Sequence, residues 1–129
     1  MTVLDASVLV EAITDSGGRG DQAADAVAGG WASPAHLDAE VGQALRRLHA
    51  SQQLSPHAAR QALQELPHIP LLRAPLRDLV IPAWELRGSI TFYDALYVAL
   101  AQQTERPLVT IDGRLARSAR RHCDVTLLQ

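Results

Sequence analysis

Apolar residues along this chain fall into two patterns: short continuous runs, and longer segments where they recur three and four positions apart. Thr2-Val3-Leu4 is a short β run closed at once by Asp5. Ala6 to Ile13 suits a helix, Asp15 to Gly20 a loop, and Asp21 to Ala28 a second helix broken by Gly29-Gly30. Trp31-Ala32-Ser33 predicts a strand. Pro34 suits the first turn of the next helix, which runs to about Ser51. Ser55-Pro56 opens a further helix to about Leu66. Ile69-Pro70-Leu71-Leu72 predicts a strand, and its proline puts it near a sheet edge. Leu76 to Leu86 predicts a helix bent at Pro82. After it come a helix from Thr91 that is apolar almost all round, a strand at Leu108 to Ile111, a short arginine-bearing helix from Gly113, and a last strand at Val125 to Leu128. Strands alternating with helices imply a mainly parallel sheet covered on both faces, with any site at the carboxyl ends of its strands.

Four acids interrupt this pattern. Asp5 ends the first strand and Asp112 follows the Leu108 to Ile111 strand. Asp94 sits in the opening turn of the apolar helix, on the face of Val98 and Ala101. Glu40 lies beside Leu37 and Ala44, on the rim of its helix's apolar stripe at ~100° per residue. An unpaired carboxylate among apolar residues is costly, and no lysine is there to pair with it, so the set points to a divalent cation. Each acid also has an ordinary role open to it. Asp5 can cap the helix that follows. Thr91-x-x-Asp94 has capping-box form, Asp112-Gly113 is a common turn pair, and Glu40 can reach water from the rim. Asp38, on the other rim, is expected at the surface.

The 129 residues are enough for one domain with a real core, 1–129 as a single unit, and 47% hydrophobic with 20% charged is ordinary for a globular chain. All twelve basic residues are arginine. Without lysine, phosphate-loop NTPase and Schiff-base chemistry are excluded, as are receiver and haloacid-dehalogenase-type domains, which need one late in the chain. A single cysteine, Cys123, excludes a scaffold built on internal disulfides. No run approaches the ~20 apolar residues of a membrane span, and with no basic, apolar leader a cytoplasmic location is the expectation.

The remaining features carry less. Ser16-Gly17-Gly18-Arg19-Gly20 is glycine-rich, but follows no strand and reads as a plain loop. His36, His49, His57 and His68 are expected on polar faces, and His122-Cys123 has no second ligand pair at zinc spacing. Arg114, Arg117 and Arg121, at i, i+3 and i+7, share a helix face and form either a phosphate-contacting ridge or solvated surface. With aromatics at 4%, extensive base stacking is not available. Leu63, Leu66, Leu71, Leu72, Leu76, Leu79, Val80 and Trp84 exceed what a thin edge buries, which suggests an interface.

Val3-Leu4-Asp5-Ala6-Ser7, Pro34 with Glu40-Val41, Tyr93-Asp94-Ala95-Leu96-x-x-Ala99-x-Ala101 and Leu108-Val109-Thr110-Ile111-Asp112-x-x-Leu115-Ala116 together resemble a PIN-domain ribonuclease of the VapC toxin type, across essentially the whole chain. The resemblance implies a three-layer α/β/α sandwich and an acidic quartet of Asp5, Glu40, Asp94 and Asp112. Ser7 and Thr110 fall on its supporting hydroxyl positions. It further implies a Mg²⁺- or Mn²⁺-dependent endoribonuclease leaving 3′-hydroxyl and 5′-phosphate ends, with Asp5, Asp94 and Asp112 as metal ligands. A small VapB-like antitoxin and a homodimer are its implied partners. The chain departs from some relatives in carrying Gly113-Arg114-Leu115 where they have a further acid. The rival from another class is a degenerate PIN fold that only binds protein; retention of all four acids speaks against it.

Overall fold

A computed structural model describes residues 1–15 and 17–129; Ser16, in the glycine-rich loop, lies outside the described residues. The order of elements is β1 (Thr2–Leu4), α1 (Ala6–Thr14), α2 (Gly20–Ala28), β2 (Gly30–Pro34), α3 (Leu37–Ala50), α4 (Pro56–Glu65), β3 (Leu72–Ala74), α5 (Val80–Trp84), α6 (Phe92–Thr104), β4 (Leu108–Thr110), α7 (Gly113–Ala119) and β5 (Val125–Leu127). The five strands form one wholly parallel sheet in the order β3-β2-β1-β4-β5, with helices packed around it. This is the expected α/β sandwich.

The chain builds outward from β1 to β3 on one side, then returns to start β4 on the other. The reversal leaves a crevice beyond the carboxyl ends of β1 and β4, the usual location of sites in open α/β sheets. The core on which it rests is apolar and continuous. Val3, Leu4, Leu108 and Val109 from the central strands pack with Val8, Leu9, Leu37, Val41 and Leu45, and with every residue of α6 from Ala95 to Ala101.

Three local readings need correction. Pro34 is the last residue of β2, paired with Ala74, and α3 begins at Leu37 after a turn. Ala35 N–H bonds to the Ala74 carbonyl and the Ser33 hydroxyl takes the Leu4 carbonyl, so the N–H that proline lacks is not needed at that level. The proline-bearing strand does lie at an edge, but its paired part is Leu72–Ala74. Leu76 to Leu86 is not one bent helix. A 3₁₀ turn at Leu76–Asp78 is followed by α5, which restarts so that Pro82 falls in its first turn, where an N–H has no helical partner anyway.

Candidate active site

Leu4 pairs with Val109, so Asp5 and Thr110 come out level, one residue past that pair on each strand. Asp5 Oδ2 accepts from Ser7 Oγ (2.6 Å), from Thr110 Oγ1 (2.8 Å) and, at longer range, from Ser7 N–H (3.4 Å). The same two hydroxyls accept from the next backbone turn: Ile111 N–H donates to Ser7 Oγ (3.1 Å) and Asp112 N–H to Thr110 Oγ1 (3.0 Å). Their 3.3 Å separation needs no bond of its own, because both hydroxyl protons are committed to Asp5. One hydroxyl pair therefore fixes Asp5 and the backbone leading to Asp112 at once. Asp5 Oδ1 has no donor among the described residues.

Asp112 caps α7, its Oδ1 accepting from Arg114 N–H (2.9 Å) and Leu115 N–H (3.3 Å). Asp94, half-buried in the first turn of α6, donates its N–H to Thr91 Oγ1 (3.2 Å). Tyr97, one turn on, donates to Glu40 Oε1 (2.6 Å) across from α6 to α3. Burial, then the charges of Asp5 and Glu40, hold the Tyr97 hydroxyl far above its ordinary range, so it remains a proton donor. His36 packs tilted against Tyr97 with ring centroids 4.7 Å apart, and its Nε2–H donates to the Tyr93 carbonyl (3.0 Å), 3.5 Å from Glu40 Oε1.

All four acids and Ser7 line one cleft of about 620 Å³. Their crowding has a measurable consequence. Burial raises the Asp5 carboxyl pKa, the Ser7 and Thr110 hydrogen bonds oppose it, and the Glu40 charge adds to the rise. Burial, then the charges of Asp5, Glu40 and Asp112, push the Asp94 carboxyl up from 3.8 to about 6. Like charges gathered in a partly desolvated cleft favour a cation. The donors are all oxygen, as hard divalent ions prefer. Among the described residues no three His, Cys, Asp or Glu side chains stand close enough to cage an ion unaided. The cleft thus offers an open donor set in which water would complete the coordination.

The structure brings together Asp5, Ser7, Glu40, Asp94, Asp112 and Thr110, as expected. It does not bring in Arg114, Arg117 or Arg121: all three are exposed, none lines the cleft, and Arg121 lies beyond the end of α7, off the predicted face. His36 is buried rather than solvated, and Asp38 is tied to Arg73 (3.0 Å). Sequence reasoning passed over Glu11, buried on the apolar α1, which accepts from Gly17 N–H (2.9 Å) and Arg19 N–H (2.8 Å) and so pins the loop beside the cleft. An acid on an apolar helix face, the signal that picked out Asp94, would have found it. Arg47, on the cleft wall, left no such signal.

The chain matches the PIN domain family over residues 2–121. It is 40% identical over 129 residues to Ribonuclease VapC1 of Mycobacterium tuberculosis, covering 98% of this chain and 97% of that one. VapC ribonuclease Mb0985 of Mycobacterium bovis is 35% identical, with 99% and 98% covered, and Ribonuclease VapC12 of Mycobacterium tuberculosis is 36% identical, with 99% of each covered. The crystal structure of PAE2754 from Pyrobaculum aerophilum superposes with a TM-score of 0.65 at 24% identity, over 95% of this chain and 82% of that one, and shares the fold.

Proposed function

This chain belongs to the PIN domain family, with VapC ribonucleases as its relatives, and from that premise we propose that it is a divalent-metal-dependent endoribonuclease acting as the toxin of a toxin–antitoxin pair. The observation that carries the proposal is the convergence of Asp5, Glu40, Asp94 and Asp112, from four separate elements, on one cleft. Hydrolysis of an RNA phosphodiester adds water to phosphorus and breaks the bond to the 3′ oxygen, leaving a 5′-phosphate and a 3′-hydroxyl.

Asp5, Asp94 and Asp112 are the residues that would hold Mg²⁺ or Mn²⁺. When bound, such an ion lowers the pKa of water and neutralises charge on a phosphate. The chain itself supplies rigidity. Ser7 and Thr110 fix one oxygen of Asp5 and leave the other without a donor among the described residues. Tyr97 orients Glu40, which lines the same cleft from α3 and is suited to position the attacking water. Asp94 stands in the first turn of α6, whose following residues Ala95 to Ala101 are all buried.

A VapB-like antitoxin blocking this cleft, a homodimer and a cytoplasmic setting complete the proposal. No helix among the described residues is long and apolar enough to cross a membrane. The exposed apolar residues that would serve contact are fewer than the sequence suggested, because Leu66, Leu71 and Leu79 are buried.

Asp94→Asn and Asp5→Asn test the acids. Both keep shape and an acceptor oxygen while removing a charge that the site disfavours. Cleavage should fall by at least a hundredfold, on the order of 3 kcal/mol, while the metal-free melting point at pH 7 stays equal or rises. A sharply lower melting point with activity intact would mean that Asp94 is only a helix cap.

A further inference from the structure

The cleft continues past the four acids along α3, and its far end is built differently. Glu40, Gln43, Arg47 and Ser51 succeed one another three and four residues apart, so one stripe of α3 and its cap runs the length of the cleft. From Glu40 to Arg47 is about 10 Å of helix at roughly 1.5 Å per residue. Arg47 is the one cation among the described residues that line the cleft, where every other ionisable group is a carboxylate: Asp5, Glu11, Glu40, Asp94 and Asp112. The ion pairs among the described residues are His36 with Glu40 and Arg73 with Asp38, so the Arg47 guanidinium is uncommitted.

Beyond Arg47 the chain leaves α3 through a left-handed C-cap, closed by Gln52 N–H to the His49 carbonyl (3.0 Å). Gln52, the residue past the cap, has φ 64, the left-handed conformation with which α1 and α6 also end. The turn folds Gln53 back on the helix end. Its N–H donates to the Leu48 carbonyl (2.9 Å) and its Nε2 to Ser51 Oγ (2.8 Å), and Ser51 Oγ in turn donates to the same carbonyl (3.2 Å). This relay holds the Gln53 amide against the cleft wall with its carbonyl oxygen still free.

We propose that this far end is a subsite for the nucleotide flanking the scissile bond of single-stranded RNA, with Arg47 on its phosphate and the Gln53 amide on its base edge. The proposal rests on the nuclease reading above and names how that site holds its substrate. A polyanion entering a cleft of five carboxylates is repelled unless a cation anchors it, and a guanidinium presents two parallel donors to phosphate oxygens. Unstacked bases of single strands expose the edges that an amide can pair with. With its backbone about 10 Å along α3 from Glu40, the arginine is assigned to the phosphate next to the reacting one. It is therefore a positioning residue that sets KM and the choice of bond.

The test uses the full chain and single-stranded RNA oligonucleotides, with binding measured in EDTA and cleavage in Mg²⁺. Arg47→Gln should weaken binding about tenfold and flatten the slope of log affinity against log salt by about 0.7, the value for one phosphate contact on a single strand. Arg47→Lys should restore the slope but only part of the affinity. Gln53→Ala should redistribute cleavage positions in a random-sequence pool. Arg60→Gln, on exposed α4 outside the cleft, is the charge-matched control and should change neither. Equal slopes for Arg47→Gln and Arg60→Gln, or a slope flattened only by Arg117→Gln, would overturn the subsite. A protein that binds RNA in an Arg47-dependent way yet cleaves none in any divalent metal would support the subsite and overturn the nuclease reading.

Discussion

Single residues here do two jobs. Asp5 caps α1 and Asp112 caps α7, while Asp94 lends its N–H to the Thr91 hydroxyl at the start of α6. From sequence, an ordinary role stood as the rival to site chemistry for these three acids: a cap for Asp5 and Asp94, a turn for Asp112. They coexist because a cap engages one oxygen or a backbone N–H and leaves the rest of the carboxylate available. The acids were legible because each interrupts an apolar stretch. Arg47 was not, because an exposed arginine on a helix looks the same whether or not a cleft lies beside it. The site's strain should be visible in its pH dependence. The Asp94 carboxyl titrates near 6 in the folded chain against 3.8 ordinarily, so the native state holds the extra proton between those values. Its contribution to stability is greatest below about pH 4 and is lost as pH rises through about 6. Solvent screening of this half-exposed group leaves a loss of roughly 1 kcal/mol. Denaturant titrations in EDTA from about pH 4 to about pH 8 should show wild type losing that amount relative to Asp94→Asn. Parallel curves would contradict the pKa shift.

At the scale of elements, legibility followed burial and periodicity. β1, β4 and the start of α6 were placed within a residue of their observed bounds, because buried strands and an apolar helix leave long unbroken signals; α6 runs three residues past its apolar stretch, to Thr104. Pro34 and the Leu76 to Leu86 segment were misread for one reason. A proline's effect depends on which N–H its neighbours need, and that is settled by pairing and by where a helix restarts, neither of which is local. Gly30 is a further case. It was read as part of a helix break, yet it opens β2 directly beside β1, where an added Cβ would stand 2.6 Å from Leu4 Cδ1 and 3.2 Å from the Val27 carbonyl oxygen. Leu4 is fully buried and has no room to yield. Gly30→Ala should lower stability by about 1–3 kcal/mol in thermal or chemical unfolding. A neutral substitution would mean that the β1–β2 contact is looser than described.

On the scale of the whole molecule, the reversal of strand order beside β1 is what gathers acids from four elements into one cleft. Alternating strands and helices made the parallel sheet readable, whereas the strand order was not readable, since nothing local says on which side β4 will pair. The same holds for the surface. α5 packs on α6, and Ile81 (66% exposed), Trp84 (54%) and Tyr93 (64%) stand on these neighbouring helices. We expect this face to join two copies, and light scattering at micromolar concentration should report a dimer; a monomer would refute that assembly. The central claim is tested most directly by incubating the purified protein with total cellular RNA and mapping the cut ends. Cleavage with 5′-phosphate and 3′-hydroxyl ends should occur in Mg²⁺ or Mn²⁺, stop in excess EDTA, and return when the ion is restored. Undiminished cleavage in EDTA, or no cleavage of any RNA with either ion, would contradict it.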